Sequence, residues 1–136
     1  LSASISLQKA IYDLLCHDAD VSAKLGANRI LDHVPPSTGF PYITLGSSVV
    51  YDWSTDSEPG QEHLISLHIW AQSSGRKFVL EVIELIAQKL DQEALRLGRY
   101  TLVNLSLQEI TAQNSDRRNA YQGIMRYRAV TEPQAA

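Results

Sequence analysis

Cysteine is nearly absent from this chain: Cys16 is the only one among 136 residues, so no internal disulfide can form and a reducing compartment is the simplest setting. Long apolar runs are absent too. No stretch approaches the roughly 18 apolar residues that a membrane-spanning helix needs, and residues 1–6 do not lead from basic residues into an apolar block, so no secretory signal is expected. The 7 glycines never form Gly-x-Gly-x-x-Gly and never precede Lys-Ser/Thr, which removes sequence support for nucleotide binding. No serine lies in a Gly-x-Ser-x-Gly elbow, and Cys16 lacks a nucleophile signature. An excess of positive charge is also missing. With a net charge of −3, the chain is poorly suited to be a dedicated nucleic-acid binder, whose affinity comes from neutralising many phosphates.

The histidines do not assemble a metal site. His63 and His68 lie five apart on an expected strand, which sends their side chains to opposite faces. Cys16 and His17 are neighbours at a helix end and diverge by about 100°. Glu81 and Glu84 fall on the polar stripe of an amphipathic helix, where a solvated face is the simpler reading than an acid–base pair. No cofactor, metal or catalytic constellation is therefore expected.

What is present is the composition of one ordinary globular domain over residues 1–136, with 44% hydrophobic and 20% charged residues. A chain of this length buries roughly two thirds of the surface its unfolded form exposes. Leu7, Ala10, Ile11, Leu14 and Leu15 recur at helical spacing, and Asp18 can cap a second short helix that ends before Gly26. A short strand at 29–32 precedes the breakers Pro35, Pro36 and Gly39. Residues 42–51 and 62–71 read as strands, the second with His63, Ile65, Leu67 and Ile69 on its better core face. Phe78, Val79, Val82, Ile83, Ile86 and Leu90 form the apolar stripe of the main helix. Strands at 100–109 and 120–130 follow, joined by a polar segment, 112–119, that reads as a hairpin tip. The order predicts an α+β fold: a twisted, mainly antiparallel sheet of four to five strands with two main helices on one face. The other face is expected to carry Trp70, Tyr121 and Tyr127 and to be available to a partner.

Charge is unevenly distributed. Residues 1–69 hold three Lys/Arg against eight Asp/Glu, whereas residues 96–128 hold six arginines against two acids. Acidic and basic segments on different sides of a fold allow copies to attract head to tail, the contact type that closes rings.

Several segments together carry a family resemblance: Pro41-Tyr42-Ile43-Thr44-Leu45-Gly46, Asp52, Gly60-Gln61-Glu62-His63, Trp70 with Gly75, and near the end Gly123, Arg126, Tyr127 and 128–132. From about Leu7 to Glu132 the chain resembles the small tail-completion or tail-terminator proteins of long-tailed bacteriophages and phage-like gene transfer agents. The resemblance implies a non-catalytic virion protein, made in the host cytoplasm and forming a homohexameric ring. That ring caps the tail tube protein and meets the head-tail connector protein, with DNA passing through without specific binding and with no membrane involved. Under that reading Asp52, Asp56, Glu58 and Glu62 are candidates for an acidic channel lining that repels DNA. Trp70, Asp116, Arg117, Arg118, Tyr121 and Tyr127 are candidates for a subunit or partner interface. Two alternatives stay open: a head-tail connector or adaptor of the same particle, and a small cytoplasmic ligand-binding domain.

Overall fold

Alternation over residues 61–72 orients the whole fold. In the computed structural model, which describes residues 3–52, 54–56, 59–92, 94–115 and 119–134, His63, Ile65, Leu67, Ile69 and Ala71 are buried, while Leu64, His68 and Trp70 between them are not. The elements run α1 (Ser4–His17), α2 (Ala19–Leu25), β1 (Ile30–Leu31), β2 (Tyr42–Asp52), β3 (Gln61–Gln72), α3 (Arg76–Gln92), β4 (Tyr100–Ser115) and β5 (Ala120–Pro133). The strands form one five-stranded sheet in the order β1-β2-β3-β5-β4. Short β1 pairs parallel to β2, and every other pairing is antiparallel. This is the α+β architecture that the element order predicts.

Register carries the alternation from strand to strand. Ile43 sits opposite Ile69, Ile69 opposite Gly123, and Leu67 opposite Met125, so one face of the sheet is apolar throughout. Helix α3 lies on that face through Val79, Val82, Ile83, Ile86 and Leu90, all buried. The approach is close enough to require glycine: a Cβ on Gly123 would stand 2.6 Å from Val79 Cγ1 and 2.9 Å from Ile83 Cδ1. Leu7, Ile11 and Leu15 of α1 and Val21 and Leu25 of α2 join the same apolar cluster.

Local chemistry sets the helix boundaries. Asp18 Oδ1 accepts hydrogen bonds from the backbone N–H groups of Asp20 at 2.9 Å and Val21 at 3.0 Å, capping α2. Lys89 of α3 reaches back to Asp18 at 3.3 Å and Asp20 at 2.7 Å, tying the two helices together. Those two cationic hydrogen bonds hold the lysine pKa above its ordinary value. Gly26 ends α2 at φ 95°, in the left-handed region that a side chain disfavours.

Two expectations are corrected. The polar segment from 112 is not a loop up to 115. Strand β4 continues to Ser115, with Ala112, Gln113, Asn114 and Ser115 opposite Gly123, Gln122, Tyr121 and Ala120. These residues lack apolar alternation because they sit on an edge strand, where backbone pairing on one side suffices. Tyr121 and Tyr127 are not on the uncovered face. Counted from Gly123, residues 121, 125, 127 and 129 all point to the helices, and both tyrosines belong to the core. Burial, and secondarily Asp91 at the end of α3, pushes the Tyr127 hydroxyl up to about 12.

Candidate functional site

The uncovered face of the sheet is where the chain differs from a closed two-layer domain. Residues of one parity meet there: Val49 and Tyr51 from β2, Glu62, Leu64, Ser66, His68 and Trp70 from β3, and Gln122, Ile124, Arg126 and Arg128 from β5, with Ser106 and Glu109 from β4. A shallow depression of about 550 Å³ lies on this side, bordered by Ser47, Val49, Leu64, Gln108, Glu109 and Arg126.

Charge on the face is paired across strands. Arg128 Nε donates to Glu62 Oε2, and both side chains are largely shielded from solvent. Arg126 Nε lies 3.3 Å from Glu109 Oε1 in a more exposed pair. Two arginines two residues apart on the inner strand β5 thus each meet a carboxylate from a flanking strand, Glu62 from β3 and Glu109 from β4.

A polar network occupies the other half. The Gln122 amide donates to His68 Nδ1 at 2.9 Å, and His68 Nε2 lies 3.1 Å from Ser66 Oγ. With Nδ1 accepting, the neutral imidazole carries its proton on Nε2 and donates it to the serine. Burial and the neighbouring Arg126 charge lower the His68 pKa, which favours that neutral form. Gly46 permits the arrangement, since a Cβ there would fall 2.2 Å from Ser66 Oγ and 2.4 Å from His68 Nε2. Trp70 stacks beside His68 and donates from Nε1 to Thr44 Oγ1 at 3.3 Å. His63 is on the opposite face, fully buried, with Nε2 2.9 Å from Thr131 Oγ1. It is a core residue, on the core face that the strand alternation predicts, and His68 is held in a polar network on the other face. Among the described residues no group of three or more His, Cys, Asp or Glu is placed to hold a metal ion.

The acidic lining candidates do not come together as one group. Asp52 ends β2, where the Ser54 hydroxyl and backbone N–H, the latter at 2.9 Å from Oδ1, hold its carboxyl below the usual range. Asp56 is exposed in the same β2–β3 connection. Glu62 is separate, on the uncovered face and neutralised by Arg128. Glu58, Asp116, Arg117 and Arg118 lie outside the described residues. The flanks of the latter three are placed: Ser115 pairs with Ala120 and Ala120 with Gln72, at the sheet end opposite the Asp52–Gln61 pair. Of the interface candidates, Trp70 alone among the three aromatics faces the uncovered side.

The strand-to-strand ion pairs and the His68 network escape sequence reasoning, because partners such as Glu62 and Arg128 are 66 residues apart. The signal that could have found them is parity: Gln122, Ile124, Arg126 and Arg128 share one side of a strand whose other side begins at a close-packed Gly123.

Among the described residues no helix is long and apolar enough to cross a membrane. No curated protein matches the chain. A solved structure of the virion of a native gene transfer agent particle contains a chain that superposes with a TM-score of 0.87 at 25% identity, covering 96% of this chain and 98% of that one. Residues 9–132 match the family described as tail completion protein gp17. With that match spanning most of its length, the chain belongs to the tail completion protein gp17 family.

Proposed function

We propose that this chain is the repeating unit of a terminator ring in a phage-like tail, a homohexamer that caps the tail tube and joins it to the head connector while DNA passes through. The observation that carries this reading is the family match over residues 9–132, joined to near-complete superposition on a chain of a gene transfer agent virion. The family is one of virion structural proteins, and the role proposed is mechanical, with no chemical step assigned to any residue.

The geometry supports a ring in two ways. The sheet is covered by α3 on one face and open on the other, a layered shape that can line a passage with one face and present helices outward. Arg126 and Arg128 on the open face are matched by Glu109 and Glu62, so that face offers DNA no unpaired cationic stripe to adhere to. Asp52, Asp56 and Glu58, at the end of β2 and in the β2–β3 connection, remain the proposed acidic lining, while Glu62, paired with Arg128, adds no net charge to it.

Imaging of assembled particles tests this directly. Copies of the chain related by cyclic symmetry are expected between tube and head. A single copy per particle, or a position outside the tail and neck, overturns the reading.

A further inference from the structure

The sheet has two open edges, and outside their bulges neither carries the Lys, Arg or Pro that commonly guard an edge. Strand β4 runs 16 residues along one edge with no Lys, Arg or Pro and a single charged residue, Glu109. At the other edge, β1 covers only Ile43 and Thr44 of β2, so β2 from Leu45 to Asp52 has no strand outside it among the described residues. That stretch also contains no Lys, Arg or Pro. Natural edge strands usually carry such residues to prevent pairing with another chain. Here exposed apolar side chains stand instead: Val49 (45%) and Tyr51 (50%) on β2, Val103 (54%) and Ile110 (47%) on β4.

The two edges are complementary in direction. β2 is antiparallel to β3, β3 to β5, and β5 to β4, so β2 and β4 of one molecule run antiparallel to each other. Two copies standing side by side in the same orientation therefore bring β4 of one against β2 of the next as an antiparallel pair, the stronger ladder type. Because the surfaces are different ones on the same chain, the contact is head to tail and repeats until it closes. Bulges interrupt β2 between Leu45 and Ser48 and β4 at Leu102/Asn104 and Leu107/Glu109. They leave two regular segments, Ser48–Asp52 and Glu109–Ser115. These segments sit at different levels of the sheet, and joining them staggers successive copies, as closing a sheet into a barrel requires.

We infer that neighbouring copies are joined by sheet continuation, with the β4 segment Glu109–Ser115 of one copy adding as a strand beside the β2 segment Ser48–Asp52 of the next. The inference rests on the ring reading and names the surfaces that make the ring.

Disulfide cross-linking in assembled particles tests it. In a Cys16→Ser background, one cysteine is placed on β2 (Val49→Cys or Tyr51→Cys) and one on β4 (Thr111→Cys or Gln113→Cys), all four positions having open-face parity. Within one copy β3 and β5 separate the two strands by about 14 Å, well beyond the ~7 Å limit for a disulfide. At least one of the four pairs is expected to give a ladder of covalent multimers on oxidation, while single-cysteine variants stop at dimers. Adding Ile110→Lys is expected to abolish the ladder with the melting temperature unchanged. Imaged particles with cyclic copies but no cross-linking in any pair, or cross-links only to a different tail protein, overturn the edge inference and leave the ring standing. Particles without cyclic copies overturn both.

Discussion

On the covered face, Leu67, Ile69, Met125 and Ala129 are fully enclosed between strands and helices. One residue along the same strands, the open face carries Ser66, His68, Trp70, Gln122, Arg126 and Arg128, held by hydrogen bonds and ion pairs instead of packing. The two faces share backbone and register, so the difference between them is purely one of side chains. It teaches where each kind of free energy sits. Changes on the covered face act on folding, because close-packed interiors tolerate little change of volume. Changes at the exposed positions of the open face and the edges leave the fold nearly intact and act on what the fold meets, whereas Tyr42, Ser66, Ile124 and Val130 are buried even there.

The largest expected effect comes from closing the gap at Gly123. Replacing it with Val drives a branched side chain into Val79 and Ile83, which already stand within 2.6 and 2.9 Å of the Cβ position. A loss of about 1–3 kcal/mol is expected from such overpacking, read as a lower urea midpoint. A Gly123→Val protein as stable as the parent shows that α3 can lift away freely, and the contrast between the faces then fails.

Histidine titration sharpens the comparison next. His63 on the covered face is buried, and burial lowers its pKa from the ordinary value of 6.5. A folded pKa below the unfolded one means that both states are neutral above pH 6.5, while below it the unfolded chain takes up the proton first. Stability is therefore constant at higher pH and falls as the pH drops below 6.5, by at most ~1.4 kcal/mol per pH unit for this group. His68 shifts in the same direction and adds to the slope. Urea midpoints between pH 5 and 8 should show this slope in the parent and a shallower one in His63→Leu. An unchanged slope in that variant refutes the assignment to His63.

Much of the covered face was legible in the sequence and little of the open one. Helical spacing in 78–90 and alternation in 62–71 come from repeated burial of one side, a pattern that the order of apolar residues alone exposes. Nothing local places Tyr121 and Tyr127, since an aromatic residue fits either a core or a half-exposed surface, and the parity of Gly123 decides the matter. The end of β4 leaves no pattern in the sequence, since Gln113 and Asn114 are edge residues with no packing to impose a period. The open face is organised by contacts between strands, such as Glu62 with Arg128 and Gln122 with His68, and nothing local in the chain announces them.

Smaller effects separate the two ion pairs. Glu62 and Arg128 are shielded to 20% and 25% side-chain exposure, against 59% and 49% for Glu109 and Arg126. Glu62→Gln should cost about 0.5–1 kcal/mol and Glu109→Gln less than that, since screening by solvent erases most of an exposed pair. Thermal melts of the two variants side by side check the ranking. The double variant also removes two negative charges from the open face, and its retention on a duplex-DNA column at low salt should exceed that of the parent.

The smallest effect on stability is expected at Arg117 and Arg118, which in the sequence lie between β4 and β5. Their neighbours Ser115 and Ala120 are already joined in the ladder, so backbone pairing closes the hairpin up to that point. Reversing both to Glu should leave the melting temperature within about 0.5 kcal/mol of equivalent stability. If the tip meets an acidic surface on another tail protein or on the next copy, the reversal replaces attraction with repulsion and slows docking. Tail completion is then expected to fall while folding is unaffected, the mirror image of Gly123→Val. A charge-reversed protein that completes tails at the parental yield removes the tip from the interface, and the contacts of the proposed ring must then be sought along the edges of the sheet alone.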